Sequence, residues 1–351
     1  MELMDYLRRA AGDGASDVFF VAGGPASYKL EGHICPMEEA KLLPPDTEKL
    51  INGIYALARR PMDRYLDTGD DDFSFAVSGL ARFRVNTYRQ RGSLAAVVRV
   101  VAFEIPDWHT LGIPEGVMEL ADVMSGMVLF TGTAGSGKST TQACIIDRIN
   151  RTRAAHIITL EDPIEFLHRD RESIVSQREI AIDTADYPAA LRSCLRQAPD
   201  VILLGEMRDF ETIRTAMTAA ETGHLVIATL HTRGAVNTVD RVIDSFPAAQ
   251  QSQVRVQLAA VLHSVVSQQL LPSTDGGMVP ACEILRVNSA VRNMIRENKS
   301  YQIDNVLQTS AAEGMISMDQ SIAQLYGEGR VSAETALLYA DNPEQLRRRL
   351  R

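Results

Sequence analysis

Nine consecutive residues, Gly132, Thr133, Ala134, Gly135, Ser136, Gly137, Lys138, Ser139 and Thr140, are of the types and in the order that hold a phosphate chain. They fit G-x-x-x-x-G-K-[ST] and fall between an apolar run of strand length and a stretch of helical character, the setting this motif needs. Glycines let successive backbone N–H groups turn inward on a β-phosphate, and the start of a helix adds positive potential. Lys138 supplies a point charge to the β- and γ-phosphates, and the Ser139 hydroxyl a ligand to Mg²⁺. ATP with Mg²⁺ is the ligand pair this spacing serves. A glycine-rich turn that merely contains Lys-Ser would need neither the strand before it nor the helix after it.

A phosphate loop does not choose a reaction, and three further blocks narrow the choice. Residues 201–206, Val-Ile-Leu-Leu-Gly-Glu, are an apolar run closed by a carboxylate. Doubly wound sheets bind ligands at that edge, so Glu206 could hold Mg²⁺ through water or orient the attacking water. Gly205 stands where an aspartate is usual, which puts more of the metal role on Glu206. In residues 159–165, Glu161 comes earliest after a strand and is the first choice to activate water. Asp162 could instead cap the turn ahead of Pro163. In residues 222–232, His224 and His231 bracket an apolar strand. Seven positions apart they point to opposite faces and cannot share a metal. His231 lies at the C-terminal edge, where it could sense the γ-phosphate. His224 lies at the other end, toward a subunit or domain face. A purely structural role is the alternative for each.

The elements that must position these residues fall into two regions. The chain has 351 residues, enough for two domains. With 45% hydrophobic and 23% charged residues it is globular rather than disordered. A formal net charge of −9 argues against a chain built to wrap nucleic acid. The four cysteines are scattered without a CxxC pair, which disfavours a zinc ribbon and a disulfide framework. Charges in the first 17 residues exclude a signal peptide there. The longest uncharged stretch, 256–271, is too short to span a membrane, so a membrane role would be peripheral.

In the first third, Leu3, Tyr6, Leu7 and Ala10 fall at helical spacing, as do Leu50, Ile51, Ile54 and Leu57. VFFVAGG and YKLEGHI read as strands joined by a turn. FSFAVSGL, ARFRVNTYRQ and SLAAVVRVV read as an antiparallel meander. Residues 105–116, with two prolines and two glycines, read as a flexible linker. Beyond it, apolar strands alternate with helical stretches, the pattern of a parallel sheet covered on both faces. From about Ser289 onward the chain reads as mostly helical.

Taken together, the Walker A block, LEDPIEF, LLGEMRD and TGHLVIATLHT resemble the secretion ATPase superfamily of type II secretion and type IV pilus motors. They match its Walker A, Asp box, atypical Walker B and His box. GASDVFFVAG, ARFRVNTYRQRGS, GMISMDQSIAQLY and the block Ala290-Val291-Arg292-Asn293-Met294-Ile295-Arg296-Glu297 narrow the resemblance to the twitching-motility, PilT-type retraction ATPases. PilU-type accessory ATPases are close relatives.

The resemblance implies an α/β chain: a PAS-like α+β domain at 1–104, a linker at 105–116, and a RecA-like ATPase domain at 117–351 that includes the C-terminal helices of 289–351. It implies a homohexameric motor that removes pilin by turning an inner-membrane platform protein (PilC-like), with a related retraction ATPase as a further candidate partner. Such a motor would be cytoplasmic and docked peripherally at the pilus base. Arg84 and Arg99 match family positions that neutralise phosphate charge; a solvated sheet face carrying Arg82, Arg84, Arg89 and Arg91 is the alternative. The 290–297 block becomes a coupling element only through the resemblance, since its pattern alone is that of a surface helix. Extension ATPases of the family are longer and often carry a zinc site, so neither zinc nor nucleic acid is expected. The competing readings are a RecA-like nucleic-acid translocase, a small-molecule kinase and a nucleotide switch. A translocase would want basic or aromatic central loops, a kinase a lid and an acceptor pocket, and a guanine switch an N-K-x-D motif.

Overall fold

A computed structural model describes residues 1–30, 32–101 and 104–350. Glu31 in the expected YKLEGHI strand, Ala102 and Phe103 near the end of the expected first domain, and Arg351 lie outside the described residues. The chain divides into two compact units: Met1–Glu104 with Glu165–Leu167, and Ile105–Ile164 with His168–Arg351.

The first unit is an α+β layer. Its strands are β1 (Asp17–Phe20), β2 (Pro25–Leu30), β3 (His33–Lys41), β4 (Asp70–Val77), β5 (Ala81–Gln90) and β6 (Ser93–Val101). They form one antiparallel sheet in the order β3-β2-β1-β6-β5-β4. The expected meander is β4-β5-β6. Its second turn places Arg91 and Gly92 at φ 50° and 78° between paired Gln90 and Ser93, the double positive φ whose twist suits a two-residue hairpin. Helix Leu3–Gly12 buries Leu3, Tyr6, Leu7 and Ala10, the four residues its spacing singled out. Helix Pro44–Ala58 buries Thr47, Leu50, Ile51, Ile54 and Tyr55. Leu57 departs from the expectation: it is 38% exposed in the last turn, and Tyr55 fills the core instead.

The second unit is a seven-stranded sheet of β7 (Gly126–Thr131), β8 (His156–Glu161), β9 (Ile174–Glu179), β10 (Val201–Leu204), β11 (Leu225–Leu230), β12 (Leu262–Pro272) and β13 (Met278–Arg286). The order is β13-β12-β7-β11-β10-β8-β9, parallel throughout except for β13, which runs antiparallel to β12. Successive residues of the central strands enter different cores. Met127, Leu129, Ile158, Leu160, Ile202 and Leu204 join one cluster, while Val128, Phe130, Ile157, Val201 and Leu203 join another. Both faces are therefore covered, which is why these strands are apolar throughout rather than alternating.

Residues 105–116 do not form an open linker. They carry helix Trp108–Leu111 and the start of helix Glu115–Met118, and Ile105, Trp108, Leu111 and Ile113 pack into the cluster that holds Val128 and Phe130. Pro114 N-caps the second helix, so a residue read as a breaker acts as a helix start. Five short helices, Ser289–Arg296, Ile303–Thr309, Met318–Gly327, Ala333–Tyr339 and Pro343–Arg349, complete the unit.

Candidate nucleotide site

The phosphate loop joins β7 to helix Lys138–Thr152, as its motif requires. Its glycines answer a neighbour as well as a turn. A Cβ on Gly132 (φ 139°) would lie 2.3 Å from the Gln268 carbonyl oxygen, and one on Gly137 (φ 84°) would lie 2.9 Å from Gln268 Nε2. Gln268, on β12 and 1% exposed, fixes the loop from below. Its Nε2 donates to the Ser136 carbonyl at 2.9 Å, and its Oε1 accepts from Thr141 Oγ1 at 2.9 Å. The helix starts at Gly137, which brings no side-chain cap, so its first N–H groups are left for an anion.

Lys138 is buried, and its ammonium donates to the Gly132 and Thr133 carbonyls at 2.8 Å each and to Ser136 Oγ at 3.5 Å. Thr133, Ala134, Gly135 and Ser139 are exposed and Thr140 half-buried, whereas Ser136 is inside. The loop thus turns its backbone and the Ser139 hydroxyl outward, with the lysine beneath.

The other blocks converge by register. Leu129, Ala228, Leu204 and Leu160 lie side by side on β7, β11, β10 and β8. The phosphate loop, His231, Glu206 and Glu161 follow them at one C-terminal edge. Glu206 is 8% exposed, with Arg208 Nη2 at 2.6 Å and His231 Nε2 at 3.5 Å. Glu161 Oε1 accepts from Thr159 Oγ1 at 2.5 Å and from Gln177 Nε2 at 3.2 Å. Asp162 beside it is exposed. Two carboxylates, an imidazole and a phosphate loop on one edge can hold a triphosphate and aim a water at it.

Mg²⁺ fits this donor set. The Ser139 hydroxyl opens the helix, Glu206 lies on the same edge, and no group of three or more His, Cys, Asp or Glu among the described residues forms a cage. Mg²⁺ typically keeps several waters and takes its remaining ligands from phosphates and one or two protein oxygens.

The model of the type II/IV secretion system protein family matches residues 2–338. The chain belongs to this family. It is 43% identical to the type IV pilus retraction ATPase PilT of Pseudomonas aeruginosa over 98% of this chain and 99% of that one. It is 37% identical to the type IV pilus ATPase PilU of the same organism, over 99% and 91% of the two chains. A crystal structure of the pilus retraction motor PilT with bound ADP superposes with a TM-score of 0.89 at 44% identity, covering 99% of each chain. Within the secretion family this chain is a PilT-type ATPase.

His224 sits at the opposite end of β11, roughly 20 Å along the strand from His231. There its Nδ1 donates to the Ala219 carbonyl at 2.9 Å, with Thr222 Oγ1 at 3.1 Å, and its own carbonyl accepts from Gly126 N. It anchors the base of the strand and cannot reach the phosphate loop of its own chain. Arg84 and Arg99 belong to the first unit. They are directly opposed on β5 and β6, both exposed, and Arg99 Nε donates to Asp17 Oδ1 at 2.9 Å. Arg89 and Arg91 are exposed at and just beyond the end of β5.

Gln268, Arg208 and Gln177 escaped the sequence reading. The available signal for Gln268 was a polar pair inside an apolar run, Val-Val-Ser-Gln-Gln-Leu-Leu, which in a strand means buried hydrogen bonds. Gln268→Leu leaves the Ser136 carbonyl and the Thr141 hydroxyl without that partner in a buried place. The expected loss is about 2 kcal/mol, read as a fall in Tm of roughly 4–8 °C, with a higher KM for ATP. Unchanged Tm and KM in Gln268→Leu would contradict the bracing role.

Proposed function

We propose that this chain works as a homohexameric ATP-driven motor that powers type IV pilus retraction, docked at the cytoplasmic face of the inner membrane on a platform protein of the PilC kind. The observation that carries this reading is the full-length likeness to the ADP-bound retraction motor, with phosphate loop, Glu161, Glu206 and His231 together on one sheet edge. Identity is higher to PilT than to PilU, which favours the principal over the accessory role. No helix among the described residues is long and apolar enough to cross a membrane, in keeping with peripheral docking.

In this reading Lys138 and the loop N–H groups hold the β- and γ-phosphates. Ser139, and Glu206 through water, would hold Mg²⁺, which supplies charge neutralisation at the phosphates. Glu206 orients the attacking water, Glu161 supports it, and His231 reports the γ-phosphate to the strand edge. Arg99 is paired with Asp17, which offsets its charge beside Arg84; the role of these two arginines in neutralising phosphate charge rests on their match to family positions. Force requires that ATP and ADP favour different arrangements of the two units, since a ligand moves an equilibrium only by its differential affinity.

Helix Ser289–Arg296 supplies the test. It buries Val291 and Ile295, is capped by Asn288 Oδ1 on Val291 N at 3.0 Å, and exposes Arg292 and Arg296. Arg296→Ala touches an exposed side chain and costs little stability. The variant is expected to keep at least about half the ATPase rate, since it removes nothing from the phosphate site, and to lose most pilus retraction in a pilus-bearing, retraction-deficient host. Equal loss of both would sink the coupling role, and failure of the unaltered chain to restore retraction would sink the retraction reading.

A further inference from the structure

Strand β10 ends at Leu204 and is followed by Gly205, where a P-loop ATPase ordinarily has its metal-binding aspartate. Gly205 does not adopt a positive φ, so the backbone does not demand glycine there. Space does. A Cβ on Gly205 would lie 2.9 Å from the Tyr187 phenol oxygen, 3.3 Å from the Leu160 carbonyl and 3.4 Å from Glu161 Cα. The tightest of these neighbours is a single hydroxyl.

Tyr187 opens helix Tyr187–Cys194, whose N-terminus is fixed by Asp186 Oδ1 accepting from Ala189 N at 2.7 Å. Its ring packs on the core cluster that includes Leu160, Leu204 and Met207. Phenylalanine would do that packing equally well, so the hydroxyl asks for its own explanation. It borders the space at Gly205, the residue before Glu206, a space that the Leu160 carbonyl and Glu161 Cα border as well. Burial first, and then the charges of Glu206, Asp162 and Glu161, push the phenol's pKa well above its ordinary value, so the hydroxyl is a weaker acid than usual. Such a group stays protonated and acts as a neutral hydrogen-bond donor among carboxylates.

We propose that Tyr187 is a positioning residue of the hydrolytic site: its hydroxyl fills the space that a side chain at position 205 would take, and donates a hydrogen bond that orients the water or carboxylate oxygen held between Glu161 and Glu206. This rests on the reading of those two glutamates as the hydrolytic carboxylates. The glycine before Glu206 and the tyrosine opposite it are then one device. An anionic side chain at 205 is replaced by a proton-bearing group supplied from the neighbouring helix, which leaves the negative charge at the edge to Glu161 and Glu206.

Purified full-length Tyr187→Phe removes one oxygen and keeps the ring. The expected result is a turnover number lower by about tenfold, a KM for ATP within about twofold of the parent, and a Tm within about 2 °C. Gly205→Ala tests the steric half. Alone it is expected to lower Tm by about 4 °C, and in the Tyr187→Phe background by less than half as much. Glu206→Gln is measured alongside. If it hydrolyses ATP like the parent, the reading of the carboxylates fails and Tyr187 with it. If it is inactive while Tyr187→Phe keeps its turnover within twofold, the tyrosine proposal is overturned and the site reading stands. An equal Tm loss from Gly205→Ala in both backgrounds overturns the space-filling role.

Discussion

Glu206→Gln is expected to lower the turnover number for ATP by about 10²–10³-fold while ATP binding stays within a few-fold of the parent. The substitution keeps shape and removes charge, so what it tests depends on what else that charge supports. In the fold it supports little: the Arg208 side chain paired with it is 72% exposed and returns to water, and exposed pairs are worth about 0–1 kcal/mol. The phosphate loop is held by Gln268 through the Ser136 carbonyl and by Lys138 through the Gly132 and Thr133 carbonyls. The loss therefore falls on chemistry. Single-turnover hydrolysis beside equilibrium binding of ATP separates the two, and hydrolysis within fivefold of the parent would transfer the base role to Glu161. Glu161 already accepts from Thr159 and Gln177 on one oxygen, and Glu206 is paired with Arg208, so the comparison of the two variants, Glu206→Gln and Glu161→Gln, decides between them.

The parts of the molecule that were readable in advance are those where one local rule decides. The phosphate loop is a motif whose glycines, lysine and serine each have a stated duty. The central strands betray themselves because burial on both faces makes every residue apolar. The unread parts are those where two rules collide. Helix Gln251–Val261 runs straight into β12 at Leu262 with no glycine or proline between them, so 256–271 looked like one uncharged stretch rather than a helix end and a strand. Strand β9 is an edge strand, half-buried and charged (Ile-Val-Ser-Gln-Arg-Glu), and lacks the apolar signature of its neighbours. Residues 105–116 were read by their prolines and glycines, yet Trp108, Leu111 and Ile113 decide their fate by packing. At the site, type and order placed Glu161, Glu206 and His231 on one edge. Of the residues beside them, Gln177 and Tyr187 come from other elements, and only the fold brings them near, while Arg208 stands two positions after Glu206 in the same block. His224, of the same short block as His231, stands at the other end of the strand, the place its seven-residue spacing indicated.

Lys138→Ala carries the other large effect, and it acts on binding and on rate together. The ammonium lies beneath the loop, and its bonds to the Gly132 and Thr133 carbonyls hold it at the position a β- or γ-phosphate oxygen approaches. A charge already desolvated and oriented needs no reorganisation as negative charge builds on the γ-phosphoryl, which is where electrostatic catalysis is strongest. Alanine removes that charge and leaves the loop N–H groups and helix start as the remaining anion donors. Affinity for ATP is expected to fall by at least about 10²-fold and turnover by about 10³-fold or more. Arginine at this position is expected not to rescue, since a planar fork cannot occupy the compact space bounded by Gly132, Thr133 and Ser136. The fold control is the Tm without nucleotide, measured beside ATP binding so that an unfolded variant is not mistaken for one that has lost its phosphate site. Stabilisation by ATP should fall with the binding and vanish at ATP concentrations well below the new Kd, because a ligand stabilises by RT ln(1 + [L]/Kd). A Lys138→Ala variant that still gains Tm with ATP and turns it over within tenfold of the parent would mean that the loop's backbone alone holds the phosphates. The lysine would then be a structural pin of the turn, and the charge that drives hydrolysis would have to come from the arginines of the first unit.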